Sequence, residues 1–424
     1  MFYAVVDCDN CYVSCERVFH PDLMGKPVVV LSNNDGCVIA RSEESKALGI
    51  KMGEPFYQVK DKLEQNDVAV FSSNYNLYGD MSRRVMSLLS RYAPKVDVYS
   101  IDEAFLDLSG MGTSEQLTEY CKKMVRHIRK GTGIPVSLGI APTKTLAKMA
   151  SKFAKKYKGY EGVCLMDTEE KREKALKMFD VGDVWGIGHR SVEKLRYHGV
   201  QTAWDLTQKS ESWVRREMTV TGVRTWKELR GESCISIEEL PHKKSICTSR
   251  SFSGIGIDKL ADVEEAVANF AAACSRKLRE GHIVCGAITV FAYTSRFRMD
   301  VPQHSIYQNV HLTVPTNDMQ ELIAIAVKVL RDHWKEGGFH YKKAGVIVWN
   351  TCEDKAIQGN LFDNVNREKQ AALTKAVEEI NRKNGHNTVR VAVQGYNKNW
   401  HLKNEYISKQ YTTNLKDIII AKAK

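Results

Sequence analysis

The sequence predicts a multidomain protein of the α+β class, and three observations lead to this prediction. The chain has 424 residues, which is too long for one compact domain and suggests about three or four. Short apolar runs typical of strands alternate with longer segments whose apolar residues recur at helical spacing. In the second half of the chain these patterns follow the order β-α-β-β-α-β, which is typical of one compact unit of sheet and helices.

Bulk composition describes an ordinary globular protein, with 43% hydrophobic and 27% charged residues. No apolar run reaches the length of about 18 residues that a membrane span needs, and residues 1–7 lack the basic start of a signal peptide. We therefore expect no membrane association and a cytoplasmic location. The net charge of +11 indicates a polyanionic partner. DNA is the first candidate, although RNA or a membrane surface would also fit the charge.

The 11 cysteines show no spacing that would indicate a disulfide framework. Cys8, Cys11 and Cys15 lie close together, but no second cluster completes a zinc site. We expect reduced and mostly buried thiols.

Residues 98–108 resemble a buried strand that is interrupted by two neighbouring acids, Asp102 and Glu103. Neighbouring residues of a strand point to opposite faces, so the two acids would lie on different sides of the sheet and cannot both avoid the apolar core. A buried carboxylate without a partner is costly, and its usual partners are Arg, Lys or a metal ion. The alternative is a bend between two short strands, with both acids in solvent.

The start of the chain adds a second acidic strand end. Residues 2–9 form an apolar run in which Asp7 and Asp9 are two positions apart and so share a face. Two strands that end in carboxylates can pair side by side and form one pocket of negative charge. Hard oxygen ligands of this kind suit Mg²⁺ or Mn²⁺. The two stretches together predict a divalent-metal site.

The same patterns assign the other elements of the first 165 residues. We predict helices at 10–19, 41–49, 76–91, 117–130 and 142–156, strands at 27–31, 96–108 and 136–141, and a turn at 32–36. Tyr12 follows the first strand, where its ring could pack against a bound sugar or simply belong to the core. Arg41 and Lys46 could bind a triphosphate through charge-assisted hydrogen bonds, or could lie on a solvated face.

In the helix at 142–156, Lys148, Lys152 and Lys155 follow helical spacing along one side. This basic face either is solvated or contacts phosphates.

Residues 166–233 are predicted to be helical, with a hairpin at Gly186 and Gly188. The hairpin lacks the third glycine and the preceding strand of a dinucleotide-binding fingerprint. It is typical of a helix-hairpin-helix, in which backbone N–H groups approach DNA phosphates closely. A polar stretch at 232–243 suggests a linker.

The β-α-β-β-α-β unit spans residues 244–350, and Arg250 and Arg296 would lie near its strand ends, available to a DNA backbone. Beyond it, Gln358 begins a polar stretch that contains an adjacent Leu361 and Phe362. A Leu-Phe pair in such a segment is typical of a peptide that anchors in a groove of another protein, although local packing is the alternative. A helix at 366–384 and a polar, aromatic and basic end complete the chain.

These motifs, taken together and in order, resemble the Y-family (translesion) DNA polymerases over nearly the whole chain, and their UmuC-type subgroup most of all. The resemblance rests on the strand that contains Asp7 and on residues 26–41, 99–105, 143–148, 184–188 and 358–362. It implies a right-hand polymerase fold. The expected parts are a palm (1–31 and 76–165), fingers (32–75), a helix-hairpin-helix thumb (166–233), a little finger (244–350), and a C-terminal tail (351–424) with a clamp-binding peptide and a UmuC-type extension.

The resemblance also implies roles for individual residues. Asp7, Asp102 and Glu103 match the catalytic acids that hold two Mg²⁺ ions, with the backbone carbonyl of Cys8 as a further ligand and Mn²⁺ as a possible substitute. Tyr12 matches the steric gate that rejects a ribose 2′-hydroxyl.

Three basic residues are expected to contact the incoming dNTP. Lys155 matches a residue that binds the triphosphate, and Lys46 occupies a position where relatives often carry Arg. Arg41 is expected to join them. Gln358, Leu361 and Phe362 match the peptide that binds a sliding clamp.

The implied activity is error-prone translesion DNA synthesis by a two-metal mechanism, in DNA damage tolerance and the SOS response. The implied partners are primer-template DNA, dNTPs, the β sliding clamp, a UmuD′-type subunit and the RecA filament. Asn10 and Cys11 replace aromatic residues that are common in relatives, so we expect a different floor of the nucleotide pocket. Asp9 is left out of the metal set, because some relatives carry Asn there. The rival hypotheses are a non-catalytic DNA-binding scaffold and a metal-dependent nuclease. Short fingers and the lack of room for an exonuclease domain predict low fidelity.

Overall fold

The computed structural model describes residues 2–235, 243–361, 363, 365–385, 387–396, 400 and 402–420. The chain forms two compact units, one from Met1–Glu239 together with Asn404–Lys424 and the other from Leu240–Lys403. The linker predicted at 232–243 is described only at its ends. Helices and strands occur in both units, and this confirms the α+β class.

The strands are β1 (Tyr3–Cys8), β2 (Val28–Leu31), β3 (Val38–Arg41), β4 (Ala69–Ser72), β5 (Lys95–Val98), β6 (Glu103–Asp107), β7 (Val136–Ala141), β8 (Val163–Leu165), β9 (Ser245–Ser251), β10 (Ile283–Thr294), β11 (Ser305–Thr316) and β12 (Tyr341–Glu353). The α-helices are α1 (Cys11–Phe19), α2 (Glu43–Ala47), α3 (Phe56–Gln65), α4 (Tyr75–Leu89), α5 (Ser114–Thr132), α6 (Lys144–Lys156), α7 (Glu169–Met178), α8 (His189–Tyr197), α9 (Ala203–Thr207), α10 (Glu211–Leu229), α11 (Leu260–Glu280), α12 (Met319–His333) and α13 (Arg367–Asn384). Among the helices of the described residues, none is both long and apolar enough to cross a membrane.

A five-stranded sheet with the order β5-β6-β1-β7-β8 organises the first unit. β1 lies at its centre and pairs antiparallel with both β6 and β7. Helices cover the sheet, so apolar residues of β1 are buried on both faces, with Val6 against one core cluster and Val5 against another. This burial explains why the first strand reads as a continuous apolar run rather than as an alternating one.

A smaller three-stranded sheet, β3-β2-β4, is built from the residues predicted as fingers. The sequence patterns missed β3, α3 and β4, and they extended the helix of 41–49 too far toward the N-terminus. Arg41 is the last residue of β3, where it pairs with Val29, and α2 begins only at Glu43. The side chain of Ser42 accepts a hydrogen bond from the backbone of Ser45 and so caps that helix.

Four helices, α7 to α10, follow the five-stranded sheet in the first unit. Trp226 and Leu229 of α10 join the same core cluster as Leu146 of α6. Before α8 the chain turns through Gly186, whose φ of 89° lies in the left-handed region, and Gly188 then caps the helix. A Cβ atom at Gly186 would also lie 3.0 Å from the Thr225 hydroxyl, so this position is suited to glycine.

The second unit contains a four-stranded sheet with the order β11-β10-β12-β9, and all its strand pairs are antiparallel. The elements follow the predicted order β-α-β-β-α-β. Apolar residues of α11 and α12 pack with the sheet in one core cluster. The helix predicted at 366–384 is α13.

The C-terminal segment divides between the two units. Trp400 packs on Phe270 of α11 in the second unit, whereas Tyr406 and Tyr411 join core clusters of the first unit.

Candidate active site

The acidic stretch is a hairpin and not the single strand expected at 96–108. β5 and β6 pair antiparallel, and residues 99–102 form the bend between them. The backbone N–H groups of Tyr99 and Ser100 donate to the carbonyl of Glu103. The Ser100 hydroxyl accepts from the N–H groups of Asp102 and Glu103 and donates to the Asp102 carboxylate. The bend therefore allows two adjacent acids to lie at the sheet end without burying either in the core.

Pairing of β1 with β6 brings the acids of distant segments together. Asp7 lies directly opposite Glu103 in the register, and the N–H of Cys8 donates to the carbonyl of Asp102 at 2.8 Å. Residues directly opposite each other in an antiparallel pair have Cβ atoms only about 4.5–5.5 Å apart. Asp7, Asp102 and Glu103 thus lie at the same end of the neighbouring strands β1 and β6.

Two lysines of α6 neutralise this acidic end. The Lys155 ammonium lies 3.0 Å from Asp7 and 3.2 Å from Asp9. The Lys148 ammonium lies 2.8 Å from Glu103. The two lysines are seven residues apart, which is two helical turns, so one face of α6 supplies both. Of the basic face predicted from the sequence, Lys148 and Lys155 contact these acids, whereas Lys152 pairs with Asp183 at 3.4 Å.

Burial and charge shift the pKa values of several of these groups. Burial raises the pKa of Asp9, and Lys155 opposes this shift. Burial also raises the pKa of Glu103, to which nearby Asp7 and Asp102 add, while Lys148 opposes it. Burial alone would lower the pKa of Lys155, but Asp7 and Asp9 outweigh it and raise the value. The site thus concentrates negative charge in a partly desolvated place, where an added cation is favourable.

The donor set suits a hard divalent cation, since carboxylate oxygens converge from two rigid strands. The carboxylates of Glu103 and Asp7 each accept a hydrogen bond from a lysine ammonium group in this structure. Within the described part of the chain, no three His, Cys, Asp or Glu side chains are already arranged as a metal shell. Asp7, Asp102, Glu103 and the carbonyl of Cys8 are the groups that could hold a metal here once the lysines move aside.

Tyr12 lies on α1, next to the acidic end, and is half-buried. Its ring stacks on Tyr78 with a centroid distance of 4.6 Å and an interplanar angle of 14°. The edge of Tyr75 meets the same ring at 5.9 Å. Burial raises the pKa of Tyr12 to about 12, so its hydroxyl stays protonated at neutral pH. Two tyrosines of α4 thus fix the orientation of this ring.

The two basic residues predicted to bind triphosphate in the fingers have different surroundings. Lys46 pairs with Glu43, and its ammonium donates to the side-chain oxygen of Asn10 at 2.8 Å. It therefore lies close to the end of β1. Arg41 instead donates to the backbone carbonyl of Ile50 at 2.6 Å, within the segment predicted as fingers.

The residues predicted to contact DNA lie in separate parts of the chain. Gly186 and Gly188 form the hairpin before α8. In the second unit, the Arg250 guanidinium stacks on the Trp400 ring at 4.9 Å, and burial lowers its pKa. Arg296 is exposed, in the connection between β10 and β11, and lines a cavity there.

The peptide predicted to bind a clamp lies between β12 and α13. Leu361 is 95% exposed and Gln358 is exposed as well, so both side chains are available to a partner. Phe362 lies outside the described residues.

Sequence reasoning missed several residues that shape this site. The Ser137 hydroxyl donates to both oxygens of Asp9, at 2.9 and 3.0 Å. Ser100 shapes the acidic bend, and its spacing two residues before an aspartate was the available signal. Glu16 on α1 is fully buried and accepts a hydrogen bond from Tyr78 at 2.6 Å. No local pattern around Glu16 indicates this contact, because its partner lies on another helix.

Comparison with known structures identifies the fold. A Y-family DNA polymerase chimera of Dbh and Dpo4 superimposes with a TM-score of 0.66, at 22% sequence identity, over 82% of this chain and 99% of that one. The likeness assigns the chain the fold of the Y-family DNA polymerases.

Comparison with known sequences identifies the family. The impB/mucB/samB family model matches residues 6–152, the model of that family's C-terminal domain matches 243–361, and a domain of unknown function (DUF4113) matches 371–421. Protein UmuC of Salmonella typhimurium is 42% identical over 423 residues, covering 99% of this chain and 100% of its own length. DNA polymerase IV 1 of Bacillus subtilis is 26% identical over 395 residues, covering 91% of each chain. The chain therefore belongs to the impB/mucB/samB family, as a UmuC-type DNA polymerase of the Y family.

Proposed function

We propose that this polymerase carries out template-directed, error-prone translesion synthesis in the cytoplasm, as part of DNA damage tolerance and the SOS response. The observation that carries this proposal is the pairing of β1 with β6, which brings Asp7 beside Asp102 and Glu103. Three acids at the end of two rigid strands are suited to nucleotidyl transfer, which depends on positioning and on charge neutralisation.

The elements of the chain would correspond to the parts of a right-hand polymerase fold. The five-stranded sheet would be the palm, the β3-β2-β4 sheet with its helices the fingers, and α7 to α10 the thumb. The four-stranded unit would be the little finger. A finger sheet of only three short strands would press weakly on the nascent base pair, which supports tolerance of damaged bases and low fidelity.

Asp7, Asp102, Glu103 and the Cys8 carbonyl would hold two Mg²⁺ ions, or Mn²⁺ in their place. Bound there, such ions would activate the primer 3′-hydroxyl and neutralise the β- and γ-phosphates. Asp7 opposite Glu103 fixes the spacing of the carboxylates, because both belong to strands of one sheet. Ser100 holds the Asp102 carboxylate by a hydrogen bond and so limits its rotation.

Lys155 would exchange its carboxylate partners for the triphosphate when a dNTP enters. Its contacts to Asp7 and Asp9 place its ammonium group at the acidic end. Lys46, beside Asn10, would reach the phosphates from the finger side, and Arg41 would assist from the end of β3. Tyr12 would lie under the sugar as a steric gate against a 2′-hydroxyl.

The DNA would be held by backbone groups of the hairpin at Gly186 and Gly188 and by the cations Arg250 and Arg296. Gln358, Leu361 and Phe362 would bind the β sliding clamp, and the exposure of Leu361 supports this role. A UmuD′-type subunit and the RecA filament are proposed as further partners, from the likeness to UmuC.

A running-start primer extension assay across an abasic site tests the proposal. The full chain is incubated with primer-template DNA, dNTPs and Mg²⁺, with and without activated RecA. Extension past the lesion supports it. Shortening of the primer would instead indicate a nuclease, and DNA binding without any extension would indicate a scaffold.

A further inference from the structure

The C-terminal segment of residues 404–420, here called the strap, returns to the first unit and contacts the finger sheet. The backbone of Tyr406 pairs with Ser72 at the end of β4, since the Ser72 N–H donates to the Tyr406 carbonyl and the Tyr406 N–H donates to the Ser72 hydroxyl, both at 2.9 Å. The N–H of Glu405 donates to the carboxylate of Asp35 at 2.9 Å. Tyr406 also packs its ring against Phe56. The strap is therefore fixed to the fingers by directed contacts.

The next residues of the strap contact α1 and α4, the helices that carry Tyr12 and Tyr78. The Asn74 side chain, which caps α4, donates to the carbonyl of Ser408 at 3.2 Å and lies 3.0 Å from its hydroxyl. The Ser408 hydroxyl donates to Glu16 of α1 at 2.9 Å. Tyr411 then stacks on Phe19 at 4.7 Å. One segment thus joins α1 to the start of α4.

Glu16 connects the strap to Tyr12. Its Oε1 atom accepts from both the Ser408 hydroxyl and the Tyr78 hydroxyl, while its Oε2 atom is buried and has no hydrogen-bond partner among the described residues. A buried carboxylate depends strongly on the few donors it has, so loss of either hydroxyl would leave Glu16 with one donor and a less fixed position. Tyr78 in turn stacks its ring on Tyr12. The path from Ser408 to the face of Tyr12 contains only two intervening side chains.

We propose that Ser408 is a positioning residue for Tyr12: by holding Glu16, it fixes Tyr78 and thereby the orientation of the ring that selects against a ribose 2′-hydroxyl. The strap is then a specificity element for the sugar of the incoming nucleotide. This inference rests on the proposed gate role of Tyr12.

The test compares single-nucleotide insertion of a dNTP and the matching rNTP by full-length variants. Ser408→Ala removes the donor, and we expect kcat/KM for the rNTP to rise by about three- to tenfold, while that for the dNTP changes little. Ser408→Thr keeps a hydroxyl and is expected to restore selectivity. Tyr411→Phe is the matched control, because it removes the strap's contact to His20 but keeps the stack on Phe19.

An activity-independent measurement accompanies these assays. Amide hydrogen exchange of residues 74–79 reports how firmly the start of α4 is held. We expect faster exchange there in Ser408→Ala than in the wild type or in Ser408→Thr.

Different outcomes separate this inference from the function on which it rests. Unchanged sugar selectivity in Ser408→Ala, with lowered selectivity in Tyr12→Ala, would overturn the inference and leave the gate intact. An equal effect in Tyr411→Phe would also overturn it, because the strap would then act through general packing. Unchanged selectivity in Tyr12→Ala would reject the gate itself, and with it the inference. If the wild-type chain extends no primer, the proposed function fails, and the gate and this inference fail with it.

Discussion

Asp7 and Glu103 face each other across the antiparallel pair of β1 and β6, although 95 residues separate them along the chain. Each carboxylate is paired with a different lysine of α6, Asp7 with Lys155 and Glu103 with Lys148. The relationship places two like charges side by side, which is unfavourable unless cations offset it. Such a pair of carboxylates favours the binding of a cation between or beside them.

Asp102→Asn is expected to lower the kcat of primer extension by about 10²-fold or more, because an amide is a poor ligand for Mg²⁺ and carries no charge. The measurement is single-turnover extension with DNA binding followed in parallel. Asp107→Asn is the matched control, since Asp107 lies at the other end of β6 and bonds to the backbone of Ser109. Extension that survives Asp102→Asn at the wild-type rate would rule out the site.

Tyr12→Ala should increase ribonucleotide insertion, because removal of the ring opens space at the sugar. Tyr12→Phe keeps the ring stacked on Tyr78 and should retain most of the selectivity, since the proposed gate is steric. The ratio of kcat/KM for a dNTP to that for its rNTP measures both. Equal selectivity in Tyr12→Ala and the wild type would contradict the gate.

Lys155→Met should raise the KM for dNTP by about 10- to 100-fold, because it removes the charge-assisted hydrogen bond that we propose Lys155 makes to the triphosphate. Lys156→Met, on the adjacent position of α6, serves as the control, since the Lys156 ammonium lies over the ring of Tyr157. Steady-state kinetics over a range of dNTP concentrations gives the comparison. A KM that is equal in the two variants would count against the role of Lys155.

Leu361→Ala combined with Phe362→Ala should remove stimulation by the β sliding clamp and leave extension without the clamp unchanged. The reason is that Leu361 is exposed and the Leu-Phe pair is expected to anchor the peptide in a groove, so its loss would remove most of the binding energy. Leu373→Ala changes another partly exposed leucine and should leave stimulation intact. Processivity with and without the clamp distinguishes the variants, and retained stimulation in the double variant would refute the motif.

The sequence predicted strongly periodic elements well and most contacts between distant segments poorly; the pairing of the two strands that end in acids, β1 and β6, is the exception. The β-α-β-β-α-β order of the second unit was predictable because burial of one helix face imposes a regular pattern. β1 was predictable because burial on both faces makes it a continuous apolar run. β3 and β4 were missed because each has only four residues and depends on pairing with β2. The acids Asp102 and Glu103 were identified as unusual, but their bend depends on Ser100, and one strand had been expected. The link from Ser408 to Glu16 spans 392 positions and leaves no local pattern.

Glu16 predicts a pH dependence of stability. Burial raises its pKa to about 7, against hydrogen bonds from Tyr78 and Ser408 that lower it. A carboxyl whose pKa is raised on folding binds its proton more tightly in the folded state. Protonated Glu16 therefore adds its full contribution to the free energy of unfolding below the unfolded pKa of about 4.5, and this contribution is lost as the pH rises to about 7. The nearby Tyr78 and Cys15 do not titrate in this window, because burial and their neighbours raise the pKa values of both.

Glu16→Gln mimics the protonated acid at every pH, so the variant should lose less stability than the wild type between pH 5 and pH 8. The expected difference is on the order of 3 kcal/mol, because folding raises the pKa of Glu16 from about 4.5 to about 7. Urea unfolding of both proteins at the two pH values measures it, with Glu64→Gln, an exposed acid of α3, as the control. Since every other titrating group is common to the wild type and the variant, their difference isolates Glu16. If wild type and Glu16→Gln lost equal stability over this range, Glu16 would be ionised in the folded protein at pH 5, and the strap would then hold a charged carboxylate.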